Sequence, residues 1–141
     1  MNYRYSFEKL DVWQKARQLI VKIYRLTSKY PNEEKFGLVS QMRRSSVSIT
    51  SNIAEGGSRS SLKDQIRFTE IAFGSTLELY CQLVSSLDLG FLSESDFQDI
   101  DLELKEITNK LNALKNNQIK RLNENQINKS TNNQINNKIN E

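Results

Sequence analysis

Three lysines recur every seven residues near the start of the chain, Lys15, Lys22 and Lys29, and Arg25 lies three or four residues from the last two. On a 3.6-residue wheel the four fall along one line. A line of cations can neutralise the phosphates of a nucleic acid; the plainer reading is a solvated helix face. Other reactive residue types are scarce. The 141 residues contain no histidine, which removes Ser-His and Cys-His nucleophile pairs, His-ligated zinc and the Glu-x-x-His di-iron site. The one cysteine, Cys81, sits in an apolar helical pattern and reads as a small core residue. Carboxylates at Glu70, Glu78 and through Glu94 to Glu106 suit solvated helical faces, and "EGGSRSS" lacks the lysine of a phosphate-binding P-loop. No enzyme, metal site or cofactor is expected.

Charge is divided along the chain. Residues 1–67 hold 13 Lys and Arg against 6 Asp and Glu, whereas residues 68–115 hold 3 against 9. Such asymmetry suits either a polyanionic partner or attraction between the opposite halves of two subunits. No apolar run is long enough to span a bilayer, and "MNYRYSFEKLDVWQ" lacks the apolar stretch of a signal peptide. The expected location is the cytoplasm.

Helical periodicity dominates the segments that must position these groups. From about Leu10 to Lys29, the residues Val12, Trp13, Ala16, Leu19, Ile20, Ile23, Tyr24 and Thr27 share one side of a helix that Pro31 follows. That placement buries Trp13 and Tyr24, leaving Tyr3 and Tyr5 as the aromatic rings available to stack on bases. After "PNEE", which suits a first helical turn, Leu38, Met42, Ser45, Ile49, Asn52 and Gly56 recur at spacings of four and three. This seam passes through "SSVSITSN", whose β-branched residues and alternation would otherwise suggest a strand. Helix is the reading the seam supports, with Gly56-Gly57 as its stop and Ser58 to Ser61 leading into the next helix.

The third segment, about Leu62 to Leu89, turns Phe68, Ile71, Ala72, Ser75, Leu79, Leu83 and Ser86 to one face and stops at Gly90. The fourth begins at "SESD", a start resembling a capping box, and repeats Phe97, Ile100, Leu104, Ile107, Leu111 and Leu114. Four amphipathic helices joined by short connections predict an all-α, antiparallel up-down four-helix bundle over residues 1–115. In residues 116–141 "NQI" recurs at 117, 125 and 133. Its period of eight matches neither a heptad nor a helical turn, so this low-complexity tail is expected to be disordered or a frayed extension of the fourth helix.

Ser45, Ser46, Asn52, Gly74 and Ser75 occupy seam positions where a bundle would ordinarily place leucine. Folding the second and third helices back on one another sets Ser45 and Ser46 roughly opposite Ile71 to Ser75. Small residues there allow close backbone approach, and a buried Asn can fix register. Alternatively, the serines face water. Gly74 asks for a packing reason more strongly, since glycine inside a helix costs about 1 kcal/mol relative to alanine.

The segments "FEKLDVWQKARQL", "FGLVSQMRRSSVSITSNIAEGGSRSS", "IAFGSTLELYCQL" and "LDLGFLSES" together resemble the bacterial four-helix-bundle proteins encoded within intervening sequences of large-subunit ribosomal RNA genes. The resemblance covers about Phe7 to Leu114. Its most specific part is Ser51-Asn52-Ile53-Ala54-Glu55-Gly56, supported by Gln41, Arg43, Arg44, Gly74-Ser75 and Glu78. Ser45-Ser46 depart from it, replacing the alanine usual after the arginines.

That family is similar in turn to accessory bundle proteins of diversity-generating retroelements, which form five-membered rings and bind nucleic acid and a reverse transcriptase. The resemblance therefore implies a homopentameric ring with an RNA, DNA or ribonucleoprotein role. Arg43 and Arg44 would join Lys15, Lys22, Arg25 and Lys29 at nucleic acid, and Asn52, Glu55, Gly56, Gly74, Ser75 and Glu78 would serve packing and assembly. Sequence-tolerant nucleic-acid binding and a protein-protein scaffold are the two functional expectations.

Overall fold

Sequential helices pair with one another and the last closes on the first. In the computed structural model, which describes residues 2–139, these are α1 (Asp11–Thr27), α2 (Leu38–Gly57), α3 (Leu62–Asp88) and α4 (Glu94–Ile139). Short 3₁₀ turns at Ser6–Lys9 and Asn32–Glu34 precede α1 and α2. The most extensive pairing is α2 with α3; α3–α4, α1–α2 and α1–α4 complete the cycle. Among the described residues the diagonal pairs make no close backbone approach and there is no strand. This is the expected four-helix arrangement.

The periodic apolar residues meet at its centre. Ala16, Leu19 and Ile23 of α1, Met42 and Ile49 of α2, Ala72, Leu79 and Leu83 of α3, and Leu104, Ile107 and Leu111 of α4 are all buried in one cluster. The stretch that could have been a strand lies wholly within α2. Ser45 and Ser46 are buried in it, and the Ser46 hydroxyl donates to the Arg43 carbonyl at 2.8 Å, which satisfies it locally.

Short polar caps set the helix ends. The Ser61 hydroxyl accepts from the Asp64 amide and the Ser93 hydroxyl from the Asp96 amide, each at 3.1 Å, which satisfies one otherwise unpaired donor at the start of α3 and of α4. Gly90 has φ +76°, where a side chain would be strained. It lets the Phe91 amide reach back to the Ser86 carbonyl at 2.9 Å and so closes α3. "PNEE" forms a separate turn, and α2 begins only at Leu38, whose amide donates to the Glu34 carboxylate.

The Asn-rich tail continues α4 as helix to Ile139. Gln118 is its last buried residue, accepting from the Thr69 hydroxyl at 2.9 Å, and beyond Leu122 every described side chain is exposed. Eight residues advance a helix by two turns and about 80°, so Ile119, Ile127 and Ile135 wind around its surface and form no stripe. No helix among the described residues is long and apolar enough to cross a membrane.

Candidate nucleic-acid interface

The heptad of lysines divides between two environments. Lys15 pairs with Glu106 at 3.0 Å, Lys22 pairs with Glu103, and Lys110 of α4 reaches back to Asp11 at 2.6 Å. These three bridges clasp α1 to α4. The hydrogen bond with Glu106 raises the Lys15 pKa, and the hydrogen bond from Lys110 lowers that of Asp11. Lys15 and Lys22 thus face carboxylates spaced one turn apart on α4 and do not extend a free cationic line. Arg25 and Lys29 lie farther along, beside a shallow groove of about 270 Å³ shared with Asp96 and Asp99. Neither is within ion-pair distance of a carboxylate among the described residues.

The two arginines at the start of α2 have different environments. Arg43 is half-buried: its Nε donates to the Thr27 hydroxyl at 3.0 Å, an Nη donates to the Tyr24 carbonyl at 3.4 Å, and its guanidinium carbon lies 4.5 Å from the Tyr24 ring centre. Its charge sits at the C-terminal end of α1, where the helix dipole favours a cation. Arg44, one residue on, is exposed and makes no ion pair among the described residues.

Between them, Tyr24, Lys35, Phe36, Val47 and the two arginines border a groove of about 620 Å³. No carboxylate lines it. Tyr24 is 43% exposed and Phe36 89% exposed, which corrects the expectation that Tyr24 would be buried and only Tyr3 and Tyr5 available. Tyr24 occupies the margin of the α1 apolar arc, where the face turns outward beside α2.

The residues expected to serve packing and assembly do not converge on one place. Asn52 donates from its side-chain nitrogen to the Ser48 carbonyl at 2.8 Å and to the Ser48 hydroxyl at 3.0 Å, and that hydroxyl lies 2.8 Å from the hydroxyl of buried Ser75. This chain ties α2 to α3. At Gly56 the two helices pack tightly, since an added Cβ would stand 3.0 Å from the Phe68 Cβ and 3.6 Å from the Gln65 carbonyl oxygen. Gly74 is the opposite case. A Cβ there would meet nothing within 4 Å, so of these two glycines Gly56, and not Gly74, has the close packing. Glu55 makes a surface contact of 3.7 Å with Arg59, while Glu78 is exposed. Cys81 is also exposed, not in the core, because it shares the outward face of α3 with Gly74 seven residues earlier.

Residues 8–113 match the family model described as 23S rRNA-intervening sequence protein. The chain belongs to that family. A crystal structure of a protein of unknown function from the S23 ribosomal protein family of Bacteroides thetaiotaomicron is similar to it, at 26% identity with a TM-score of 0.70, covering 74% of this chain and 95% of that one. No curated protein matches significantly. The family match contains both arginines and the whole 620 Å³ groove but ends before Gln118 and the projecting part of α4.

The groove residues that sequence reasoning missed are Lys35, Phe36, Val39, Ser40, Val47 and Ser48. A signal exists for the first two: an adjacent cation and aromatic, outside the periodic segments, between Pro31 and Leu38.

Proposed function

We propose that this chain is a non-enzymatic, homo-oligomeric helical-bundle protein that binds RNA or DNA with little regard to base sequence. The observation that carries the reading is a set of cations that form no ion pair among the described residues: Lys35 and Arg44 at the carboxylate-free groove between α1 and α2, and Arg25 and Lys29 near the end of α1 on the side that faces the start of α4. Phosphates are the common feature of every nucleic acid and are bound through charge, so such a surface would be indifferent to sequence. A five-membered ring, as the family resemblance implies, would repeat the surface in each subunit and multiply its affinity.

A second reading, a protein-protein scaffold, has its own support in α3 and α4. Leu77 and Tyr80 are exposed beside a groove of about 270 Å³, and Leu102 is two-thirds exposed nearby in α4. Apolar patches of this kind mark association surfaces. The acidic half that carries them would attract the basic half of another subunit.

Titration of structured RNA and duplex DNA into purified protein at low salt, with light scattering on the same samples, tests the proposal. Binding of both by an oligomer is expected. An oligomer that binds neither would overturn the nucleic-acid reading and leave the scaffold, whereas a monomer at micromolar concentration would overturn the assembly.

A further inference from the structure

Phe36 is an aromatic ring that contributes almost nothing to the core. It sits between Lys35 and Gly37 in the connection to α2, with 89% of its surface in water, at the border of the 620 Å³ groove. Lys35 Nζ lies 5.5 Å from its ring centre. Across the groove Tyr24 is held by Arg43, whose hydrogen bonds to Thr27 and to the Tyr24 carbonyl fix both partners. Arg44 and Lys35 are the remaining cations, and none of the groove's residues is acidic.

We infer that this groove receives an unstacked base of single-stranded nucleic acid, with the base against Phe36 and its flanking phosphates against Lys35 and Arg44. The inference rests on the nucleic-acid reading and narrows it to a class of ligand. Every nucleobase presents a flat π-face, so stacking on an aromatic side chain tolerates any sequence, and losing one such platform weakens binding roughly 5- to 100-fold. Bases inside a duplex are already stacked on one another and cannot reach the ring. Every charged residue of the border is a cation, which favours a polyanion over an apolar segment of a second subunit that would strip water from Lys35 and Arg44 and offer no charge in return. Arg43 is engaged within the chain and supplies position, not a phosphate contact.

The test uses the full chain, with a short labelled oligouridylate and an RNA duplex of the same length as probes. Phe36→Ala should lower affinity for oligouridylate roughly 5- to 100-fold while leaving duplex affinity, helicity and oligomeric state unchanged. In Phe36→Trp, saturable quenching of indole fluorescence by oligouridylate is expected beyond that of the wild type, whose Trp13 gives the background. If the wild type binds nucleic acid but Phe36→Ala binds both probes as well as it does, the groove inference fails and the broader reading stands. If the wild type binds neither probe, both fail. A change in oligomeric state of Phe36→Ala would mean that a second copy of the chain fills the groove, which also overturns the inference.

Discussion

The Arg43 guanidinium carbon stands 4.5 Å from the centre of the Tyr24 ring while its Nε donates to the Thr27 hydroxyl at 3.0 Å, tying α2 to the last turn of α1. A hydrogen bond from a charged group contributes about 1.5–3 kcal/mol, and an exposed cation–π contact adds about 0.5–1 kcal/mol. Arg43→Gln is expected to destabilise the fold by about 2 kcal/mol, measured by chemical denaturation, with no restoration by Lys because the contact needs a planar fork. Arg44→Gln should leave stability within about 0.5 kcal/mol and weaken RNA binding. Equal stability of the two variants would contradict the division of roles.

The two helical glycines of the seams should respond oppositely to alanine. At Gly56 the added Cβ meets the Phe68 Cβ at 3.0 Å, an atom tied to the α3 backbone. Overpacking costs about 1–3 kcal/mol and better helix propensity offsets about 1 kcal/mol, so a net loss near 1 kcal/mol is expected. Gly74→Ala fills open space and should raise stability by about 0.5–1 kcal/mol. Denaturant midpoints of both variants decide the matter, and a loss at Gly74 would show that another backbone lies against it.

Removing the acids that hold Lys15 and Lys22 should expose more cationic surface. In Glu103→Gln/Glu106→Gln the logarithmic salt slope of RNA binding is expected to steepen by up to about 1.4–1.8, the contribution of two further phosphate contacts. An unchanged slope would mean that these lysines lie off the path of the nucleic acid.

The same clasp gives a pH signature. Asp11, with its pKa lowered from 3.8, contributes stability that is present above 3.8 and lost as pH falls through the lowered value. Lys15, raised from 10.5, contributes stability that is present below 10.5 and lost as pH rises through the raised value. The melting temperature of Glu106→Gln should lie a small, constant amount below the wild type at neutral pH and meet it in strong alkali. A gap that widens in alkali would refute the pairing.

Truncation after Lys115 removes buried Gln118, one of two acceptors in reach of the Thr69 hydroxyl beside the Gln65 carbonyl, and should cost about 0.5–1 kcal/mol. Truncation after Leu122, where burial ends, should cost almost nothing. Thermal unfolding of the two proteins distinguishes them, and equal losses would show that the projecting helix contributes to the fold.

The bundle was legible because period and composition agreed: Ala16, Leu19 and Ile23, or Ile100, Leu104 and Ile107, can be buried together only on helices. Even the β-branched stretch around Ile49 yielded to its seam. What periodicity could not supply was the neighbour across the surface. Lys15 and Lys22 look free on their own helix, and only the rotation of α4 brings Glu106 and Glu103 opposite them. Tyr24 falls within an apolar arc, yet its position at the α1–α2 margin leaves it in water. Gly74 looked like a close-packing position from its place in the third helix, yet a Cβ there would meet nothing within 4 Å.

The central claim is that cations without an ion pair among the described residues, Arg25 and Lys29 near the end of α1 and Lys35 and Arg44 at the α1–α2 groove, hold the phosphate backbone. The most direct measurement is the salt dependence of RNA binding for the wild type and for a variant with Arg25, Lys29, Lys35 and Arg44 all changed to Gln, a residue of comparable helix propensity. Loss of four contacts should flatten the logarithmic slope by roughly 2.8–3.6 while the circular dichroism and oligomeric state stay the same. A folded variant that binds with the wild-type slope would contradict the account.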